Sequence, residues 1–244
     1  MTTDREQIRQ RFLQLNTAIV CDVYDELGWP VTALHTDIRR RTFERARVAG
    51  WAYPIEGQLS PATGPDRLKL EVADALPAGC VTVWGGANAS GICLFGDLIA
   101  ATMAKRGCHG AVVDGGFRDL EAISGTGFPV FARYVSPVQS VGRWRVTRHA
   151  EPIVVRGALG GLVTVSPDDL VLGDEDGVVV VQAERVREVL ERAEAIVRQE
   201  AEARKLSEEG MTAQEMLERF GLRRVVYGSI PNRPEHASDI VRSV

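Results

Sequence analysis

The chain has 244 residues, 45% of them hydrophobic and 25% charged, with a net charge of −4. That balance suits one large globular domain or a domain with an extension, and it does not favour a polyanion-binding surface. The first residues, MTTDREQIRQRFLQL, hold no apolar core of signal-peptide length, and no apolar run reaches a membrane-spanning length, so a cytoplasmic protein without a membrane partner is expected.

In chain order, TAIVCDVYDELG (17–28) has helical apolar spacing, with Asn16 or Thr17 as N-cap and Gly28 and Pro30 as its end. RVAGWAYPI (47–55) reads as a buried strand, 64–76 as a helix and CVTVW (80–84) as the next strand. A glycine-rich loop over 85–97 leads to a helix over 98–107 closed by Gly107. GAVVDGG (110–116) is a short buried strand, 118–127 a short helix and PVFARY (129–134) another strand, a rhythm that suggests parallel βαβ units. WRVTRH, EPIVV, LVTV and GVVVV are then short β runs, with DEDG (174–177) as a turn. A long charged helix over 183–206 carries the stripe Val186, Val189, Leu190, Ala193 and Val197, and a second helix is expected over 212–221, before a polar tail from 228. The expected organisation is an α/β domain over 1–182 and a helical C-terminal extension with a tail over 183–244.

The metal-binding alternatives narrow quickly. The four cysteines at 21, 80, 93 and 108 form no CxxC pair and read as packed, reduced thiols. The histidines at 35, 109, 149 and 236 are scattered, which leaves no zinc spacing. GGANASG (85–91) lacks the strand-to-helix setting of a nucleotide fingerprint.

Two strand-to-helix junctions remain. Gly96-Asp97 precedes Leu98-Ile99 at one helix start, and Asp114-Gly115-Gly116-Phe117 leads into Arg118-Asp119 at another. Ligands bind at the carboxyl ends of strands in open α/β sheets, where helix N-termini offer unpaired N–H groups. An arginine can fork a carboxylate and stabilise an enolate, and an aspartate can bind a hard cation or hold a water. Each feature also has a plainer reading: Asp97 as an N-cap, Arg118 and Asp119 as a helix-start ion pair, Gly115-Gly116 as a turn.

The segment GDLIAATMAKRGCHGAVVDGGFRDLEAI (96–123) resembles the 4-hydroxy-4-methyl-2-oxoglutarate aldolase family, which includes the regulator of ribonuclease activity A. The likeness continues in GFPVFARYVSP (127–137), GGLVTVSPDDLVLGDEDGVVVV (160–181) and TAIVCDVYDELG, and covers about 17–200. Its motif is Asp97, twenty intervening residues, then Arg118-Asp119. The resemblance implies a swivelling α/β/β/α domain, assembled as trimers or hexamers with sites at subunit interfaces. It implies a class II aldolase that releases pyruvate from a 4-hydroxy-2-oxo acid and also decarboxylates oxaloacetate. In that likeness pyruvate binds the turn matching Gly96, Asp97, Leu98 and Ile99, and Arg118 contacts the pyruvate part. Asp119 ligates Mg²⁺ or Mn²⁺, and Asp97 acts through metal-bound water.

One position departs from the pattern. An acid is expected after two intervening residues, at the third position past Arg-Asp, where this chain has Ala122, and its acid stands at Glu121. One residue is about 100° of helix rotation. Acids from a neighbouring subunit have candidates in Asp22, Asp25, Glu26, Asp174 and Glu175, each with a structural alternative. The regulator branch, which binds a protein partner, is the non-enzyme reading; another metal-dependent reaction on a 2-oxo or hydroxy acid is a third.

Overall fold

A computed structural model describes residues 4–86 and 89–212, with Gln214, Glu215 and Glu218. Most of the expected helix over 212–221, and the tail from 228, lie outside the described residues. In chain order the elements are α1 (Asp4–Phe12), α2 (Thr17–Glu26), β1 (Arg39–Arg40), β2 (Val48–Leu59), α3 (Arg67–Ala75), β3 (Cys80–Gly85), α4 (Asp97–Lys105), β4 (Ala111–Phe117), α5 (Leu120–Gly125) and β5 (Val130–Val135). β6 (Trp144–His149), β7 (Ile153–Arg156), β8 (Leu162–Val165), β9 (Leu170–Gly173) and β10 (Val178–Val181) follow. One 3₁₀ turn then leads into α6 (Val186–Glu208).

The main sheet runs β1-β5-β4-β3-β2-β9-β10, with β6 also on β2. β2, β3, β4 and β5 pair in parallel, as the βαβ rhythm implies. The segment before β2 almost closes this sheet into a barrel. Ala33 bridges Val179 on β10, and Arg39 and Arg40 pair with β5. One short stretch thus reaches both ends of the strand order.

Alternation along the strands builds three apolar layers. Val81, Val83, Val112, Phe131, Val171, Val178 and Val180 point into the barrel, where the β7–β8 hairpin contributes Ile153, Val155, Val163 and Val165. Their neighbours Cys80, Trp84, Ala111, Val113, Val130 and Ala132 face outward under Met103 and Ile123 of α4 and α5. On the opposite wall Leu170, Leu172, Val179 and Val181 face α1, α2 and α6. Helix, wall, wall, helix is the α/β/β/α order, with α6 as the C-terminal helix. Each fully buried valine or leucine contributes about 1.5–3 kcal/mol.

Local chemistry sets the element ends. Asn16 caps α2 by accepting from Ile19 N at 2.8 Å. Gly28, at φ +67°, reverses the chain after it. On α6 the buried stripe is Val186, Val189, Leu190, Ala193 and Ile196. Ile196 thus takes the inward place expected of Val197, which packs at the margin. No helix among the described residues is long and apolar enough to cross a membrane.

Candidate functional site

Two backbone hydrogen bonds bring the two junctions together. Residues 92–95 run beside the end of β4, where Cys93 bridges Gly116. Leu94 N donates to Gly116 O at 2.8 Å, and Arg118 N donates to Phe95 O at 3.1 Å. Gly116 is required by this approach: a Cβ there would fall 2.2 Å from the Tyr134 ring and 2.7 Å from Ile92 O. The pairing of β4 with β5 shifts between Val113 and Gly116, so the strand leaves its regular ladder just before Arg118.

Asp97, Arg118 and Asp119 therefore meet. Asp97 N donates to Asp119 Oδ2 at 3.1 Å, and Arg118 Nε donates to the same oxygen at 3.2 Å. Asp97 turns its own Oδ1 onto Leu98 N at 2.8 Å. Gly96 makes room for the cluster, because a Cβ on it would lie 2.3 Å from Asp119 Oδ2. Asp119 holds a left-handed backbone, φ 62° and ψ 42°, which costs an aspartate about 1 kcal/mol or more and turns its carboxylate back towards α4.

An open cleft of about 660 Å³ lies here, lined by Asp97, Arg118, Asp119, Leu120, Glu121 and Ala122. The Arg118 side chain is 42% exposed and that of Asp119 35%, so their ion pair faces the cleft and is not sealed in the core. The other expected residues contribute differently. Gly96 supplies clearance, Leu98 projects outward at 79% exposure, and Ile99 packs its side chain against the α3–α5 core. The first two amides of α4 are already satisfied by the carboxylates of Asp119 and Asp97. Leu120 is the lining residue that sequence reasoning missed. No spacing signal marked it, and Ile123 of the same helix packs into the core.

The donor chemistry suits a hard cation. The cleft offers oxygen ligands, and Asp119 spends only Oδ2 on its two hydrogen bonds. Mg²⁺ characteristically takes one or two carboxylates and keeps several waters. Among the described residues no group of three His, Cys, Asp or Glu forms a closed metal cage. The acids considered as contributions to a neighbouring site have local roles in part. Asp174 is buried on Thr17, while Glu26 and Glu175 lie 3.9 and 4.0 Å from Arg192 and Arg40. The four cysteines are free thiols, three of them buried, as their packing context implied.

Comparison with known proteins follows the same boundaries. The family model described as RraA-like, Aldolase/RraA, matches residues 17–180. A Halalkalibacterium halodurans protein with the provisional name 4-hydroxy-4-methyl-2-oxoglutarate aldolase is 32% identical over 219 residues, which are 86% of this chain and 93% of that protein. Protein DlpA of Legionella pneumophila is 27% identical over 188 residues; the match takes in 77% of this chain but only 29% of DlpA's length. The crystal structure of Streptomyces coelicolor RraAS2, described as an unusual member of the RNase ES inhibitor RraA family, superposes with a TM-score of 0.69. It is 22% identical, and the superposition covers 84% of this chain and 98% of that one, a likeness of fold. With two thirds of its length under the family model and the same α/β architecture, the chain belongs to the RraA-like, Aldolase/RraA family.

Proposed function

We propose that this chain is a divalent-metal-dependent carbon–carbon lyase that cleaves a 4-hydroxy-2-oxo acid to pyruvate and a carbonyl product. Decarboxylation of oxaloacetate would be a second activity through the same pyruvate enolate. One observation carries the reading: Asp97, Arg118 and Asp119, from two helix starts, converge within hydrogen-bond distance on an open cleft. Among the described residues no lysine lines that cleft, which favours metal-assisted over Schiff-base chemistry.

Asp119 would hold Mg²⁺ or Mn²⁺, with waters completing its shell, and the ion would supply Lewis-acid polarisation of the substrate ketone. Arg118 would pair with the pyruvyl carboxylate and offset the charge that develops on the enolate oxygen. A substrate carboxylate reaching α4 would take the place of the Asp97 carboxylate on the Leu98 amide, freeing Asp97 to orient a water. That water accepts the C4 hydroxyl proton as the C3–C4 bond breaks. The bonding pair passes into the C2–C3 enolate, and protonation at C3 gives pyruvate. In the assembled protein this site would lie at a boundary between subunits of a homotrimer or hexamer.

The test is a pyruvate-release screen over 4-hydroxy-2-oxo acids and oxaloacetate, with EDTA and after Mg²⁺ or Mn²⁺ is restored. Release that stops with EDTA and returns with either ion is the expected outcome. Release that persists in exhaustively metal-free protein would refute the metal role. Silence across the panel, together with tight capture of an RNA-degradation protein, would replace the lyase with a protein-binding regulator.

A further inference from the structure

Two cysteines that the sequence keeps apart meet in the core. Cys80 opens β3, and Cys108 stands in the turn between α4 and β4. Two main-chain hydrogen bonds bracket them: Gly79 N donates to Gly107 O at 2.9 Å, and His109 N donates to Cys80 O at 2.8 Å. Segments joined in this way run about 5 Å apart, inside the roughly 4.4–6.8 Å between Cα atoms that a disulfide needs. Both side chains enter the same apolar layer under α4, at 2% and 5% exposure. There the two thiols are hydrogen-bonded to each other. Gly79 and Gly107 shape the approach, with left-handed backbones at φ +84° and +83°. Packing alone does not require two thiols to face each other, and the proposed lyase chemistry uses neither.

The other two thiols are less reactive. Burial pushes Cys21 up to about 11 and raises Cys93 as well, so neither offers much thiolate. Within the pair, the Cys80 thiol steadies a thiolate on Cys108 and lowers its value, while Cys80 itself is raised.

We propose that Cys80 and Cys108 form a modification site, which a hydroperoxide oxidises to an intramolecular disulfide. The Cys108 thiolate attacks one peroxide oxygen. The O–O bond breaks, and the other oxygen takes a proton and leaves as water or an alcohol. The Cys80 sulfur then attacks the Cys108 sulfenic acid. An S–S bond forms, the S–O bond breaks, and hydroxide departs with the Cys80 proton as water. Two thiols are oxidised and one peroxide is reduced. The bond clamps the loop from 80 to 108, which carries Gly96 and Asp97. It does so where the chain enters β3 and β4, whereas the cleft lies past the far end of β4. The inference stands independently of the lyase reading.

The experiment treats fully reduced protein with hydrogen peroxide, then unfolds it in an alkylating reagent. Unmodified thiols are expected to fall from the four of the parent to two, with the mass of two hydrogens lost. Digestion with trypsin and chymotrypsin, which parts Cys80 from Cys93 at Trp84, should yield one crosslink, Cys80 to Cys108. Cys80→Ala and Cys108→Ala should each abolish it, and Cys21→Ser should keep it. The oxidised parent should melt about 5–10 °C higher, an increase that dithiothreitol reverses.

A folded parent that keeps all four thiols, or that gains sulfinic acid without a bridge, would overturn the inference. So would a crosslink through Cys21 or Cys93, or one between two chains. The crosslink map of the parent decides this even where an alanine variant does not fold. A Cys80–Cys108 bridge with no rise in melting temperature would overturn the clamp.

Discussion

Two aspartates in this molecule occupy matching places and do different work. Asp174 follows β9 and accepts the first amide of α2, Thr17 N, at 2.7 Å. Asp119 follows β4 and accepts the first amide of α4, Asp97 N, at 3.1 Å. Asp174 is also held by Thr17 Oγ1 at 2.7 Å and Asp176 N at 3.1 Å, and its side chain is 1% exposed. Asp119 has one further partner, the Arg118 Nε, and opens on a cleft. Both exploit the positive end of a helix. A saturated, sealed carboxylate is a fastener, whereas an accessible one with an oxygen to spare can take a ligand. Position after a strand does not separate the two, but exposure and the number of partners do.

The comparison can be broken most directly at Arg118. Arg118→Ala should lower kcat/KM for pyruvate release by about 100-fold or more, which is about 2.7 kcal/mol of transition-state stabilisation. Because the side chain is exposed on the cleft and not sealed in the core, the protein's melting temperature should move by only about 2 °C. A folded Arg118→Ala protein of normal activity excludes the proposed site. Asp174→Ala should behave in the opposite way. It strands Thr17 N and Oγ1 in a buried setting, at a cost of about 2–3 kcal/mol and a fall in melting temperature of about 4–12 °C. Activity per folded molecule should stay near normal, and a loss of activity without a loss of stability would reverse the two assignments.

The smallest effect concerns pH on the closed helical face. Glu6 accepts from Arg9 Nε and Nη2 at 2.8 and 2.6 Å, and this pairing holds its carboxyl at about 2, below the ordinary 4.5. A depressed folded value means that the contribution is fully present above 4.5 and is lost as pH falls towards about 2. Thermal denaturation over that window should show a shallower acid slope in Glu6→Gln than in the parent. Equal slopes would remove Glu6 from the account.

Much of the architecture was legible in the sequence because burial writes itself as period. The parallel strands β3, β4 and β5 and the helices between them fall within a residue or two of their expected bounds. α1 escaped notice because it holds only two apolar residues, Ile8 and Phe12, too few to show a period. β9 was missed because LVLG is short and has one β-branched residue, where VVVV of β10 has four. At the site, residue type, spacing and the family resemblance singled out Asp97, Arg118 and Asp119, which the structure brings together on one cleft. The sequence did not show that Arg118 lies outside the helix, that Asp119 takes a left-handed backbone or that Leu120 lines the cleft. Those depend on the shifted pairing of β4 and on two long-range backbone hydrogen bonds, which leave no periodic trace.

Those two main-chain bonds, Leu94 to Gly116 and Phe95 to Arg118, have an engineering consequence. They fix the spacing of the reactive cluster without recruiting any side chain from residues 120–122. The rim can therefore be rewritten, through libraries at 120, 121 and 122, while Asp97, Arg118 and Asp119 keep their mutual distances. Under the proposed lyase chemistry the scaffold would separate what is recognised from how the bond is broken, and new carbonyl partners for pyruvate could be sought at three neighbouring codons.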